Sequence, residues 1–186
     1  MSDRHIQDGL FPDAREVAEQ EADLLGYRGP VACSAAGITY RQLDYWARTR
    51  LVSPSIRTAK GSGSQRLYSF KDILVLKVVK RLLDTGISLQ NVRTAVAHLR
   101  ERGVKDLANI TLLSDGTTVY ECTSAEEVVD LLAGGQGVFG IAVSGALKEL
   151  TGSLAHLPSV RTDIDDTAEA NDELARRRQA KKAASA

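Results

Sequence analysis

The chain has 186 residues, 43% of them apolar and 26% charged, and its 24 basic and 24 acidic residues cancel. That length accommodates one medium domain or two small ones, and the absence of any run of 18 apolar residues excludes a hydropathy-evident membrane span. Two distant cysteines, Cys33 and Cys122, without CxxC spacing, exclude a disulfide framework and a clustered zinc site.

Residues 1–28 are expected to form a mobile N-terminal arm. MSDRHIQDGLFPD is polar and holds no apolar run fit for a signal peptide, so a cytoplasmic location is expected. Ala14–Tyr27 offers only a thin apolar stripe through Val17, Leu24 and Leu25. Zero net charge hides a segregation: residues 1–29 carry seven acids and three bases, whereas residues 30–103 carry thirteen bases and four acids. A block of +9 with acid-poor composition is an electrostatic footprint for phosphate.

Residues 29–103 read as one unit. Pro30 suits a helix start, and Gly37 stops that helix two residues before Thr39, a cap for a second helix over Tyr40–Thr49 with Leu43 and Trp46 or Ala47 facing inward. Ser53–Arg57 and Gln65–Tyr68 follow as a β-ribbon with Lys60-Gly61-Ser62-Gly63-Ser64 at its tip. Ser69 and Asp72 form a capping box for a third helix reaching about Thr85, with Ile73, Leu76, Val79, Leu82 and Leu83 at core spacing. Ser88 caps a fourth helix carrying Leu89, Val92, Val96 and Leu99, and Gly103 closes the block.

Helix, tight turn, helix and basic ribbon are the parts of a winged helix-turn-helix, which presents one helix to a major groove and a hairpin to the flanking backbone. The expected contacts to double-stranded DNA are Thr39, Tyr40, Arg41, Gln42, Tyr45, Trp46 and Arg48 on the second helix. Arg57, Lys60, Arg66 and Tyr68 are expected in the ribbon, and Lys71 at the start of the third helix. Arg and Gln match guanine and adenine hydrogen-bonding patterns, while Tyr, Lys and a helix N-terminus suit phosphate.

Residues 104–158 change character and predict a small α+β module for dimerisation or regulation. ITLLSDGTTVYEC is a hairpin turning at Asp115-Gly116, and SAEEVVDLLAGG a helix capped by Ser124 with Glu127 completing the box. GVFGIAV reads as a short buried strand and SGALKELTGSLAHL as a last helix. Leu147, Leu150, Leu154 and Leu157 form a stripe on it, expected to dimerise two chains. Residues 159–186 read as a disordered charged tail, six acids balancing six bases over 161–186. No catalytic set, phosphate loop, cofactor site or metal site is expected, so the chain is not read as an enzyme.

The run ITYRQLDYWARTRLVSPSIRT, then SQRLYSFKDILVLKVVKRLLDTGISLQNVRTAV, resembles the N-terminal domain of the MerR family of bacterial transcription regulators. Tyr45-Trp46 stand where the family has an aromatic pair, Arg66 where it has the wing arginine, and residues 70–101 where it has a helix pair. Asp44 departs from the basic residue many relatives carry before the aromatic pair. The β-containing segment after Gly103 departs from their long coiled-coil helix. The resemblance implies a homodimer that distorts promoter DNA to alter access by RNA polymerase. The alternative is a protein-interaction adaptor, in which the winged fold is a scaffold and residues 104–158 bind a regulatory protein.

Overall fold

The computed structural model describes residues 25–58, 65–116, 118–133 and 138–161. Gly26–Val160 packs as one compact α+β unit; the second unit, Met1–Leu25 with Arg161–Ala186, contributes only its two border residues to the described set.

Strand β1 (Leu25–Arg28) pairs antiparallel with β2 (Leu67–Tyr68), Tyr27 opposite Tyr68 and Arg28 opposite Leu67. The last residues of the expected N-terminal arm are therefore built into the fold, with the Tyr27 ring buried against the ladder. Helix α1 (Gly29–Ala36) begins on a Pro-bearing first turn and buries Ala32, Ala35 and Ala36, small side chains that let neighbouring helices approach closely. Gly37, at φ +72°, ends it in the left-handed conformation that glycine adopts without strain, and α2 (Tyr40–Arg48) follows.

Helix α3 (Phe70–Asp84) is the centre of the molecule. The Ser69–Asp72 capping box starts it, and Ile73, Leu74, Val75, Leu76, Val78, Val79 and Leu82 are all buried. This is more than one amphipathic stripe: a helix apolar almost all round needs partners on several sides. Those partners are α1, α4 (Leu89–Glu101) and, from the other end of the chain, α7 (Val143–Leu154).

Between α4 and α7 lie a one-turn helix, α5 (Val104–Leu107), a three-stranded antiparallel sheet and α6 (Ala125–Ala133). The sheet order is β4-β3-β5, with β3 at Thr111–Ser114, β4 at Val119–Cys122 and β5 at Phe139–Ala142. Leu112 faces Glu121 on one side and Ile141 on the other. The hairpin turns where the sequence predicts, with Thr118 N–H donating to Asp115 Oδ1 at 2.7 Å and Gly116 at φ +91°. On α6, Ser124 Oγ accepts from Glu127 N–H at 3.2 Å, and Glu127 Oε2 from Thr123 N–H at 2.7 Å. Strand β5, expected to be buried, is an edge strand on which only Ile141 is buried and Phe139 is 44% exposed.

The boundary expected at Gly103 does not divide the packing. Val143, Ala146, Leu150 and Leu154 of α7 are buried within the same unit as α1 and α3. Glu149 is gripped from α3 by Arg81 Nη2 at 2.6 Å and Lys77 Nζ at 3.3 Å. Both cations belong to the +9 block, so part of that charge neutralises the acidic C-terminal segment rather than forming an open patch. The leucine stripe expected to dimerise is divided for the same reason. Leu150 and Leu154 are core residues of their own chain, while Leu147 and Leu157 are half-buried.

Candidate nucleic-acid interface

Helix α2 is held by both ends and by its inner face. At its start Thr39 Oγ1 accepts from Gln42 N–H at 3.2 Å, and Gln42 Oε1 accepts from Thr39 N–H at 2.9 Å, a reciprocal capping box. Thr39 and Gln42, expected to contact DNA, thus use their polar atoms to cap the helix. Leu43 and Trp46 face inward and are buried. Trp46 is 3% exposed and Tyr68 on β2 is fully buried, so neither side chain is presented to a partner; both are packing residues. An aromatic pair in sequence places one ring in and one ring out, because neighbours on a helix lie about 100° apart.

The outward face carries Tyr40 (62% exposed), Arg41, Tyr45 (45% exposed) and Arg48. Arg41 and Tyr45 are four residues apart and Tyr45 and Arg48 three, so they lie on one side of the helix. Asp44 borders this face and binds two guanidiniums: Arg48 Nε at 3.2 Å and Arg66 Nη1 at 2.9 Å. Arg66 therefore links the segment before β2 to α2, and this hydrogen bond to Asp44 raises its pKa above the usual arginine value.

Among the described residues the ribbon is shorter than expected. One antiparallel bridge, Arg57 opposite Leu67, closes it with N–H···O distances of 3.2 and 2.9 Å. Lys60 lies outside the described residues. Arg57 is half-buried on that bridge. The approach to the ribbon is fixed by buried Asp72, whose Oδ2 accepts from Ser55 N–H at 2.7 Å, Ser55 Oγ at 2.8 Å and Ser69 N–H at 3.0 Å. One carboxylate thereby caps α3 and anchors the chain leaving α2. Lys71 Nζ donates to the Arg100 carbonyl at 2.7 Å, tying the start of α3 to the end of α4.

Three residues at this surface were not singled out from the sequence. Arg50 follows α2 at φ +57° and is exposed, a left-handed position where glycine or asparagine is the usual signal. Arg93 reaches across from α4 to donate to the Thr49 carbonyl at 3.0 Å, fixing the end of α2. Arg28, the exposed N-cap of α1, lies beside Tyr40 and Arg66 around a hollow of about 470 Å³. Their roles depend on chain neighbours that periodicity does not reveal. Among the described residues, no three His, Cys, Asp or Glu side chains converge on a point that could hold a metal ion.

Residues 27–99, the segment from β1 through most of α4, match the family model described as MerR HTH family regulatory protein. An HTH-type transcriptional regulator of Mycobacterium tuberculosis is 73% identical over 174 residues, covering 93% of this chain and 76% of the relative, and one from Mycobacterium bovis matches equally. A heavy metal-dependent transcription regulator of Rhizobium meliloti is 26% identical over 131 residues, covering 70% of this chain and 74% of its own. The HTH-type transcriptional regulator HmrR of Sinorhizobium medicae is 30% identical over 71 residues, 38% of this chain and 46% of the relative. The matched segment coincides with the capped α2, the short ribbon and the α3–α4 pair, and the chain belongs to the MerR family of helix-turn-helix regulatory proteins.

Proposed function

We propose that this protein binds promoter DNA in a sequence-specific manner as a homodimer and changes access of RNA polymerase to that promoter. The observation that carries the reading is α2, fixed by its capping box and by Leu43 and Trp46, with Tyr40, Arg41, Tyr45 and Arg48 left facing outward. Arg41 has no ion pair among the described residues and reads a base edge. Arg48 and Tyr45 flank it, Arg57 and Arg66 approach the backbone from the ribbon side, and Lys71 stands at the start of α3. The protein works in the cytoplasm, where the chromosome is. Because Leu150 and Leu154 are committed to the core, the two-fold contact uses other surface than the leucine stripe.

Fluorescence anisotropy on duplexes selected from genomic fragments tests this. Specific binding with a log–log salt slope of roughly −5 is expected for about six phosphate contacts per dimer. Arg41→Ala abolishes preference at one base position per half-site while leaving nonspecific affinity largely intact. Absence of any shift at low salt refutes the DNA reading and favours a protein-interaction adaptor.

A further inference from the structure

Strand β5 (Phe139–Ala142) is the outer strand of its sheet, and among the described residues no strand pairs with its far side. Val143 N–H donates to the Ile110 carbonyl at 3.0 Å, directly beyond the Thr111–Ala142 pair of the ladder. Hydrogen-bonded pairs alternate along an antiparallel ladder, so Phe139 and Ile141 turn their backbone groups to β3. Those of Gly140, and by the same alternation of Val138, turn outward with the Ala142 N–H. Phe139, Gly140 and Ala142 are all exposed. Natural sheets protect such an edge with charge, proline or a covering element. The opposite edge of this sheet follows that rule: β4 carries Glu121, held by Arg102, and α6 lies against it. The run Val138-Phe139-Gly140-Ile141-Ala142 has neither charge nor proline.

This edge is its own complement. Laid antiparallel on a second copy about a two-fold axis at Gly140, the two glycines exchange main-chain hydrogen bonds and each Phe139 comes opposite the partner's Ile141. That sets an aromatic against a β-branched side chain on one face of the joined sheet, a favourable cross-strand pair formed twice. Gly140 puts no side chain at the axis, and it lets Leu113 lie across it, since a Cβ there would come within 2.9 Å of Leu113 Cδ2. A hollow of about 460 Å³ lies between β5, Gly145 of α7 and the end of α3 at Arg81, Asp84 and Thr85, with room for side chains of an added strand. Its charges are balanced, Arg81 on Glu149 and Asp84 on Lys80, so two identical rims meet without repulsion. A foreign strand would need its own match to this pattern; a second copy already has it. We infer that β5 pairs with β5 of a second copy about a two-fold axis at Gly140, joining two three-stranded sheets into one. This rests on the homodimer reading above and gives it a contact in place of the leucine stripe.

The test is sedimentation of the full-length chain over a range of micromolar concentrations, beside circular dichroism. Phe139→Lys puts a charge on each side of the axis and should raise the dimer dissociation constant by about tenfold or more, with the dichroism unchanged. Its affinity for a duplex with one half-site should stay the same, while its affinity for paired half-sites falls. Cysteines test the register. Val138 and the partner's Ala142 form the next hydrogen-bonded pair, about 5.5 Å between Cα atoms, whereas like residues of the two chains lie about 14 Å apart. Val138→Cys combined with Ala142→Cys should therefore give a covalent dimer under mild oxidation, and either single variant should not. Should Phe139→Lys misfold, these variants, which keep Phe139, decide. If the double variant is a dimer and does not crosslink, or if folded Phe139→Lys dimerises as tightly as wild type, this contact is overturned and the homodimer reading stands. Crosslinking of a single variant puts the axis elsewhere and overturns it too. A wild-type chain that stays monomeric, free and on paired half-sites, removes the homodimer reading and this inference with it. Failure of wild type to bind any duplex while the double variant still crosslinks removes the DNA reading and leaves the contact.

Discussion

Asp44 stands where a charge change should be felt twice, because one carboxylate holds two guanidiniums at the edge of the outward face of α2. Asp44→Asn removes the charge and keeps the shape. The Arg48 contact is weak, since its side chain is 70% exposed, and contributes about 0.2–1 kcal/mol. The Arg66 contact is stronger: both side chains are mostly buried, at 24% and 34% exposure, and the separation is 2.9 Å. Together their loss should cost about 1–2 kcal/mol, with an Asn amide retaining part of the Arg66 hydrogen bond. Binding should move the other way. A negative charge leaves the face proposed to meet phosphate, and each guanidinium freed for a backbone contact should steepen the log–log salt slope by about 0.9. Nonspecific affinity at low salt should rise while the melting temperature falls. Urea denaturation and salt-titrated anisotropy on the same preparations measure the two effects. A slope that stays the same or flattens would show that Arg48 and Arg66 are not at the DNA, and the assignment of this face would fail.

Trp46→Ala should destabilise by about 3–5 kcal/mol, because a buried indole leaves a cavity, whereas Trp46→Phe should retain DNA affinity in proportion to its stability. A stable Trp46→Phe protein with abolished binding, measured by anisotropy beside a melt, would return this ring to the DNA surface. Thr39→Ala should cost about 1 kcal/mol in urea, through loss of the cap to α2, with base preference at the Arg41 position preserved. The third prediction concerns pH. Arg81, then Lys77, hold the Glu149 carboxyl below its ordinary value of 4.5, so the folded state binds this proton less readily than the unfolded chain. That stabilisation is present above pH 4.5 and disappears as pH falls through the lowered folded value, and it is small because Glu149 is 55% exposed. Glu149→Gln should therefore lower stability at neutral pH by under about 1 kcal/mol and make it less sensitive to acid, read from melts between pH 7 and 3.

Much of the first hundred residues was legible because their signals are local. The cap at Thr39, the capping box at Ser69, the cap at Ser88 and the left-handed Gly37 lie where the sequence reading put them, while the return bond from Gln42 that completes a box at Thr39 was not foreseen. The Asp115-Gly116 hairpin is equally local. What failed was long-range. Leu147, Leu150, Leu154 and Leu157 recur at helical spacing, but periodicity identifies an apolar face without naming its partner. That partner was nearer than a second chain, and the sign of it was in α3, where Leu74, Val75 and Val78 fill the faces beside the main stripe. The inward turn of Trp46 follows from helical rotation once Leu43 is placed in the core. Arg66 bound to Asp44, and Arg93 to the Thr49 carbonyl, join residues 22 and 44 positions apart and leave no local trace.

The seating of α7 on α3 also bears on how the chain is made. Helix α3 is complete at Asp84, but the helix that covers its remaining side ends only at Leu154. Those 70 or so residues take roughly 4–14 s to synthesise at ordinary translation rates. For that interval the DNA-binding half stands outside the ribosome with an apolar helix side uncovered. A product truncated before Val143 keeps every element of the reading head and lacks the helix that closes its core. Quality control in the cell should therefore remove interrupted chains of this protein as misfolded, before fragments lacking the rest of the molecule accumulate.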